Sequence, residues 1–343
     1  MRLKPFLTLF ANRQLAALIG VKALFRPFLQ LTYLAAAKSS GLLERLSDRA
    51  LSFEELARTF AHSPKSREAL EAWLQLGRRL NLLDLRNERY LLKNLALKLA
   101  KPQNDAALAL LQEVATLHHK LVLHTPAELM LDRHWSLADQ DGELTTRSSR
   151  TLEVFQLQAI EKNFPATGPT RLLEIGCGSA VYIKHAAAIN PSLTALGLEL
   201  QGDVAELARR HLDRWGLQDR CRVETSDIRE RRPEQLFDIA TLFNNIYYFP
   251  VDERMALLAH IRQFIRPGGF LLLTTCCQGG SLGVEVLNLW GAATANAGRL
   301  PHRQEMADQL NAAGYTGIQI MSLVPGDAFY SFKALVSGEG ALA

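Results

Sequence analysis

The sequence predicts an α/β protein whose C-terminal half is a Rossmann-like parallel sheet covered by helices, preceded by a mostly helical N-terminal half. Three observations carry that expectation. The first is the stretch Arg171-Leu172-Leu173-Glu174-Ile175-Gly176-Cys177-Gly178-Ser179-Ala180, an apolar run that stops at a Gly-x-Gly turn before a helix starting near Ser179. The second is the alternation of short apolar strands with helical patterns from residue 170 onward, which reads as βαβ units. The third is helical periodicity through most of the first 165 residues.

Taken in order, residues 6–37 carry Phe6, Phe10, Leu15, Ile19, Leu24 and Phe28 on related helix faces. That much apolar surface packs against something, most simply another subunit. Residues 31–92 look like a winged helix. One helix carries Leu34-Ala35-Ala36-Ala37-Lys38 and stops at Gly41, a second starts at the N-cap Ser52, and a third starts at Ser63 or Ser66. A short β ribbon at 82–85 and 90–92 turns at Arg86-Asn87-Glu88. In a DNA-binding version Arg67, Arg78 and Arg79 would face phosphate. The third helix is mainly apolar and its Arg78-Arg79 pair sits at the exit, so a dimerisation scaffold with a solvated basic face is the expectation.

Residues 103–165 read as mostly helical, looser around 131–147, and hold His118, His119, His124 and His134 beside Trp135. Zinc ligation wants histidines at i and i+4 with a third ligand, and neither His118 nor His119 has that spacing to His124. No metal is expected; these histidines are candidates to line a substrate pocket. Pro165 to Pro169 is a linker, giving expected domains at 1–102, 103–165 and 166–343. Strands follow at 193–199, 221–225, 237–243 and 270–275, with helices at 202–215, 252–265, 284–297 and 302–313, and a closing hairpin at 317–323 and 329–336.

Composition sets the class. A hydrophobic content of 48% with 22% charge fits a soluble globular protein, and no apolar stretch was expected to span a membrane. Lys and Arg outnumber Asp and Glu about two to one in the first hundred residues, with near balance thereafter. Cys177, Cys221, Cys276 and Cys277 form no C-x-x-C pair, which suggests free thiols in a reducing, cytoplasmic compartment.

The spacing of the C-terminal motifs points to a nucleoside. Glu199 ends the strand after the glycine turn, about twenty residues on, where a carboxylate accepts from both ribose hydroxyls. Val181 stands where a dinucleotide fingerprint wants its third glycine, which argues against an NAD(P)-dependent reductase. Asp227 follows the third strand, where an adenine amino group could donate to it.

Leu173-Glu174-Ile175-Gly176-Cys177-Gly178, Glu199, Asp227 and Arg266-Pro267-Gly268-Gly269 resemble the motif series of class I S-adenosylmethionine-dependent methyltransferases. With the winged-helix-like half, the chain resembles the dimeric small-molecule O-methyltransferases of the caffeate and hydroxyindole type. The resemblance implies a seven-stranded sheet with one antiparallel strand, a homodimer, and an acceptor held between the sheet and the helical connector. It implies a cofactor seat of Glu174, Gly176, Gly178, Glu199, Leu200, Asp227, Ile228, Phe243 and Asn244, and pocket residues His134, Asn245 and Trp290. That family usually has a general-base histidine where this sequence has Tyr248. A phenol with a pKa of about 10 is a poor base at neutral pH. Either His118, His119 or His124 supplies the base, or the acceptor is a thiol or thioether that needs none, with Tyr247 and Tyr248 facing the sulfonium. A regulator that binds the same cofactor without catalysis uses the same residues and stays open at this point.

Overall fold

The structure, a computed structural model, describes residues 4–338, with side chains described from Thr8 onward, so the Phe6 side chain lies outside the described residues. The chain divides into two compact units. One holds the chain to Lys120 together with Asp141–Thr151; the other holds Leu121–Gln140 and the chain from Leu152.

In the first unit, α1 (Lys4–Ala11) leads into α2 (Gln14–Ser39), a 26-residue helix covering most of the stretch expected at helical spacing over 6–37. Lys22 and Arg26 interrupt the apolar run but not the helix, because long straight-chain residues cost a helix little. By length and composition α2 could cross a membrane, contrary to the expectation that no apolar stretch is long enough. Phe10, Leu18, Ile19, Leu24 and Phe28 are all at least half exposed. Next come α3 (Leu42–Asp48), β1 (Leu51–Ser52), α4 (Phe53–Phe60) and α5 (Pro64–Arg79). Ser52 and Glu55 form a capping box: the Ser52 hydroxyl accepts from the Glu55 N–H at 3.2 Å, and the Ser52 N–H donates to the Glu55 carboxylate at 2.7 Å. Ser63, not Ser66, caps α5, with Pro64 at the first helical position. Strands β2 (Leu83–Arg86) and β3 (Arg89–Leu92) complete a three-stranded sheet in the order β1-β3-β2. Leu34, Leu42, Leu56 and Leu74 are fully buried in its core.

Then come α6 (Asn94–Leu99) and α7 (Asp105–Glu113), one π turn at Val114–His118, α8 (His119–Met130) and α9 (Gly142–Ser149). The interval expected to be loose contains α9. Asp141 caps it by accepting the Leu144 N–H at 3.0 Å, and Arg147 anchors it to Asp105 through bonds of 2.9 and 2.5 Å.

The second unit contains α10 (Glu153–Asn163) and a seven-stranded sheet. Its strands are β4 (Thr170–Ile175), β5 (Leu193–Glu199), β6 (Cys221–Thr225), β7 (Phe237–Phe243), β8 (Ile265–Cys276), β9 (Thr316–Ser322) and β10 (Phe329–Leu335). The order is β6-β5-β4-β7-β8-β10-β9; β4 to β8 run parallel, and β10 is antiparallel to both neighbours. Strand β8 begins earlier than expected. Ile265 pairs with Phe237 and Phe270 with Ile239, so Arg266-Pro267-Gly268-Gly269 forms a bulge inside one strand. Helices α11 (Val181–Ile189), α12 (Gly202–Arg214), α13 (Arg254–Arg262), α14 (Leu282–Ala293) and α15 (Arg303–Ala312) make up the rest. Leu173, Leu196 and Leu271 pack with α13 on one face, and Leu172, Ile239 and Ala195 pack with α11 and α12 on the other. A sheet covered on both faces explains why its strands read as continuous apolar runs.

Candidate active site at the strand tips

Strand order reverses between β4 and β7, and a parallel sheet opens a crevice at the carboxyl ends flanking such a reversal. The glycine turn lies there. Gly176 has φ 67° and Gly178 φ 52°, a region that side chains with a Cβ rarely adopt. A Cβ on Gly176 would also strike the Asn245 amide, which donates to the carbonyls of Ile175 at 2.9 Å and Gly176 at 3.3 Å. Glycine is therefore required at 176 twice over. Asn245, expected in a substrate pocket, ties the β7 tip to the β4 tip.

Glu199 fastens the same loop. One carboxylate oxygen accepts the Gly178 N–H at 3.0 Å and the other the Gln201 N–H at 3.1 Å. Each oxygen keeps lone-pair capacity for a diol. Leu200, beside it, is 60% exposed and presents an apolar face. Glu174 is 1% exposed, and neither carboxylate oxygen has a hydrogen-bond partner among the described residues. Burial, reinforced by the Glu199 charge, holds its pKa well above the ordinary carboxylate range. Asn244 sits at the β7 tip with φ 53°; its N–H donates to the Thr274 carbonyl at 2.8 Å, and its side-chain oxygen is buried without a partner among the described residues. Phe243 and Ile228 are buried in the cores on the two faces of the sheet.

Asp227 caps a short turn after β6 and is bound by Arg229. Burial raises its pKa, but hydrogen bonds from the Arg229 side chain and N–H, together with the guanidinium charge, more than offset this and leave it below the ordinary range. Tyr247 is buried and its ring lies 4.8 Å from that of Tyr248. The Tyr247 carbonyl accepts the Gly298 N–H at 3.0 Å.

Two residues in this region are absent from the sequence-based site, and only one of them left a hint there. Arg254 is fully buried on α13, donating to the carbonyls of Phe249 at 3.1 Å and Arg299 at 2.7 Å; burial pushes its pKa down to about 10. It clasps the Tyr247–Phe249 turn to the segment before α15. Gln156, 1% exposed, lies on the α10 stripe of Leu152, Phe155 and Ala159; its amide donates weakly to the Thr274 hydroxyl at 3.4 Å. Its carbonyl oxygen has no partner among the described residues. A polar residue at i+4 within an apolar helical stripe was the one readable hint.

Trp290 is 2% exposed on α14, with its indole N–H also unpartnered among the described residues. His134 and His124 are exposed in the same unit, whereas His118 and His119 belong to the other unit. Burial lowers the His118 pKa, while the nearby Glu113 charge opposes the shift. Among the described residues, no group of three or more His, Cys, Asp or Glu side chains could hold a metal ion.

Known proteins share this arrangement. Residues 173–271 match the family described as a methyltransferase domain. A curated relative, the rRNA N(6)-adenosine-methyltransferase metl-5 of Caenorhabditis elegans, is 27% identical over 128 residues. That match covers 36% of this chain and 58% of the relative's length. Among solved structures, the mitomycin 7-O-methyltransferase MmcR superposes with TM-score 0.79 at 18% identity, covering 95% of this chain and all of that one. PigF, solved with S-adenosylhomocysteine, superposes with TM-score 0.75 at 17% identity, covering 92% and 98%. Residues 173–271 thus match a methyltransferase domain, and the chain shares the fold of these solved structures.

Proposed function

We propose that the chain is an S-adenosylmethionine-dependent methyltransferase acting on a small-molecule acceptor, by O- or S-methylation. The observation that carries this reading is the set of unsatisfied oxygens at the switch point. The Glu174 carboxylate and the Asn244 amide oxygen are buried acceptors with no donor among the described residues. Leaving such groups unpaired costs about 1–3 kcal/mol each, more for a charged one, and a ligand bearing cationic and N–H groups relieves that cost. The residues thus fit the cofactor: Glu199 would hold the ribose, Asp227 and Ile228 the adenine edge, Leu200 its face, and Glu174 with Asn244 the cationic methionyl end. When bound, the cofactor supplies an electrophilic methyl group on sulfur. The protein's share is to position the acceptor in line and to exclude water. The superposition with the mitomycin 7-O-methyltransferase supports a small-molecule acceptor, since it covers nearly the whole chain, N-terminal unit included.

Calorimetric titration with S-adenosylhomocysteine and with NADH tests this directly. Binding of the first and none of the second is expected; the reverse pattern would revive the reductase alternative. Salt-sensitive binding of duplex DNA would revive the regulator.

Further parts of the reading follow. The N-terminal unit serves as a winged-helix-like dimerisation domain, and the exposed apolar side chains of α1 and α2 are the surface a partner subunit would cover. A cytoplasmic site fits the four buried free cysteines. Tyr248 replaces the usual histidine, and His118, His119 and His124 are the other candidate bases. Because a general base contributes about 10²–10⁴-fold, Tyr248→Phe discriminates among them. With thiol acceptors we expect turnover within about threefold of wild type and unchanged S-adenosylhomocysteine affinity, since a thiolate needs no base at the enzyme. A hundredfold fall in kcat at constant cofactor affinity would instead give the phenol a part in the chemistry.

A further inference from the structure

Asp227, the carboxylate assigned above to the adenine amino group, is already engaged. Its Oδ1 accepts from the Arg229 N–H at 2.9 Å and from Nε at 3.2 Å, and its Oδ2 accepts from Nε at 3.0 Å and Nη2 at 2.7 Å. An ionised carboxylate offers about four lone-pair positions, and three N–H donors, one of them shared between both oxygens, already occupy most of them, so a purine amino group competes with the guanidinium for Asp227. The two partners differ in freedom: the Asp227 side chain is 15% exposed and that of Arg229 is 48% exposed. The same guanidinium already touches two further groups, which it would keep on leaving Asp227. Glu253 is 3.6 Å from Nη1, and the Phe249 ring centroid is 5.5 Å from Cζ, within cation–π range.

We propose that Arg229 is a latch on the adenine seat: its guanidinium covers Asp227 until a 6-aminopurine nucleoside donates to that carboxylate and displaces it toward Glu253 and Phe249. The ligand class follows from the chemistry. A 6-amino group brings the hydrogen that Asp227 can accept, whereas a 6-oxo purine would bring a second acceptor and leave the latch closed. Cofactor affinity is then the outcome of a competition between an amino group and an internal cation. Salt weakens the ion pair but acts little on a zwitterionic ligand, so affinity should rise with ionic strength, the reverse of ordinary charge-driven binding.

This inference rests on the cofactor reading above, and the test separates the two. S-adenosylhomocysteine is titrated calorimetrically into the full chain, wild type and variants, at about 20 mM and about 500 mM salt, far apart in screening length. Exposed ion pairs contribute about 0.2–1 kcal/mol, so Arg229→Leu should bind about two- to fivefold tighter than wild type at low salt. Its affinity should no longer respond to salt, whereas that of wild type should climb toward the variant's. Arg229→Lys keeps the cation without the fork and should fall between them, which guards against a misfolded Leu variant. Glu253→Gln should weaken binding in the wild-type background and change nothing beside Arg229→Leu. S-inosylhomocysteine should bind wild type more weakly than the adenosyl compound. Wild-type binding with Arg229→Leu weaker or unchanged, and with no difference in salt response, overturns the latch alone. No binding by wild type or any variant overturns the cofactor reading, and the latch with it.

Discussion

Replacing Glu199 by Gln is expected to weaken S-adenosylhomocysteine binding about 100-fold, measured calorimetrically at neutral pH. The carboxylate would lose two charge-assisted bonds to the ribose, each about 1.5–3 kcal/mol, and 1.4 kcal/mol is tenfold in affinity. It also loses half of its structural task. Both oxygens accept backbone N–H groups, from Gly178 at 3.0 Å and Gln201 at 3.1 Å, and an amide presents an NH2 to one of those donors. The glycine loop should loosen at that point, adding to the loss. A variant that binds within threefold of wild type would remove Glu199 from the ribose site.

The second large effect concerns Glu174 and pH. Its pKa in the folded protein lies well above the ordinary range, from burial and from the Glu199 charge. Below the unfolded pKa both states hold the proton and the residue adds no pH dependence. Above it the unfolded chain releases the proton while the folded one retains it, so stability falls as pH rises toward the folded value. Glu174→Gln cannot ionise. It should therefore melt several degrees above wild type at pH 8 and together with it at pH 4, since about 1 kcal/mol moves the midpoint by a few degrees. Ligand binding should respond in the opposite sense. A cationic amine stabilises the carboxylate, so wild type should release a proton on binding, visible as heats that depend on the buffer's ionisation enthalpy. The Gln variant should bind about tenfold more weakly with no buffer dependence, the loss expected from one charged hydrogen bond. Equal melting of the two proteins at pH 8 would mean that Glu174 is already ionised and neutralised in some other way.

The strand tips could be read in the sequence because they obey local rules. An apolar run must end where the chain leaves a doubly covered sheet, and Gly176 is needed where φ reaches 67°. Glu199 falls at a strand end set by the length of one βαβ unit. What resisted reading depends on distant partners. Arg229 looked like an ordinary surface residue, and only the turn after β6 folds it back onto Asp227 two residues earlier. Gln156 and Thr274 are 118 residues apart, and no spacing rule joins them. Arg254 sits where an amphipathic helix pattern calls for a polar residue, yet it is fully buried, because two backbone carbonyls brought in by the chain turn satisfy it. The start of β8 was missed because Pro267-Gly268-Gly269 reads as a turn, and the register shift that turns it into a bulge is visible only against β7. Helix α9 was missed because Gly142, Thr145, Thr146, Ser148 and Ser149 have weak helix propensity, and the Asp141 cap with the Arg147–Asp105 pair outweighs it.

The position of β10 governs the order in which this protein can be completed. It lies inside the sheet, between β8 and β9, and is antiparallel to both. A nascent chain that has emerged through β9 therefore has no partner for that strand and leaves the β8 margin bare. Only when Phe329–Leu335 leaves the ribosome can the last two strands dock, as a hairpin wedge. The sheet therefore cannot close before β10 has been made, and it keeps an open, aggregation-prone border until then.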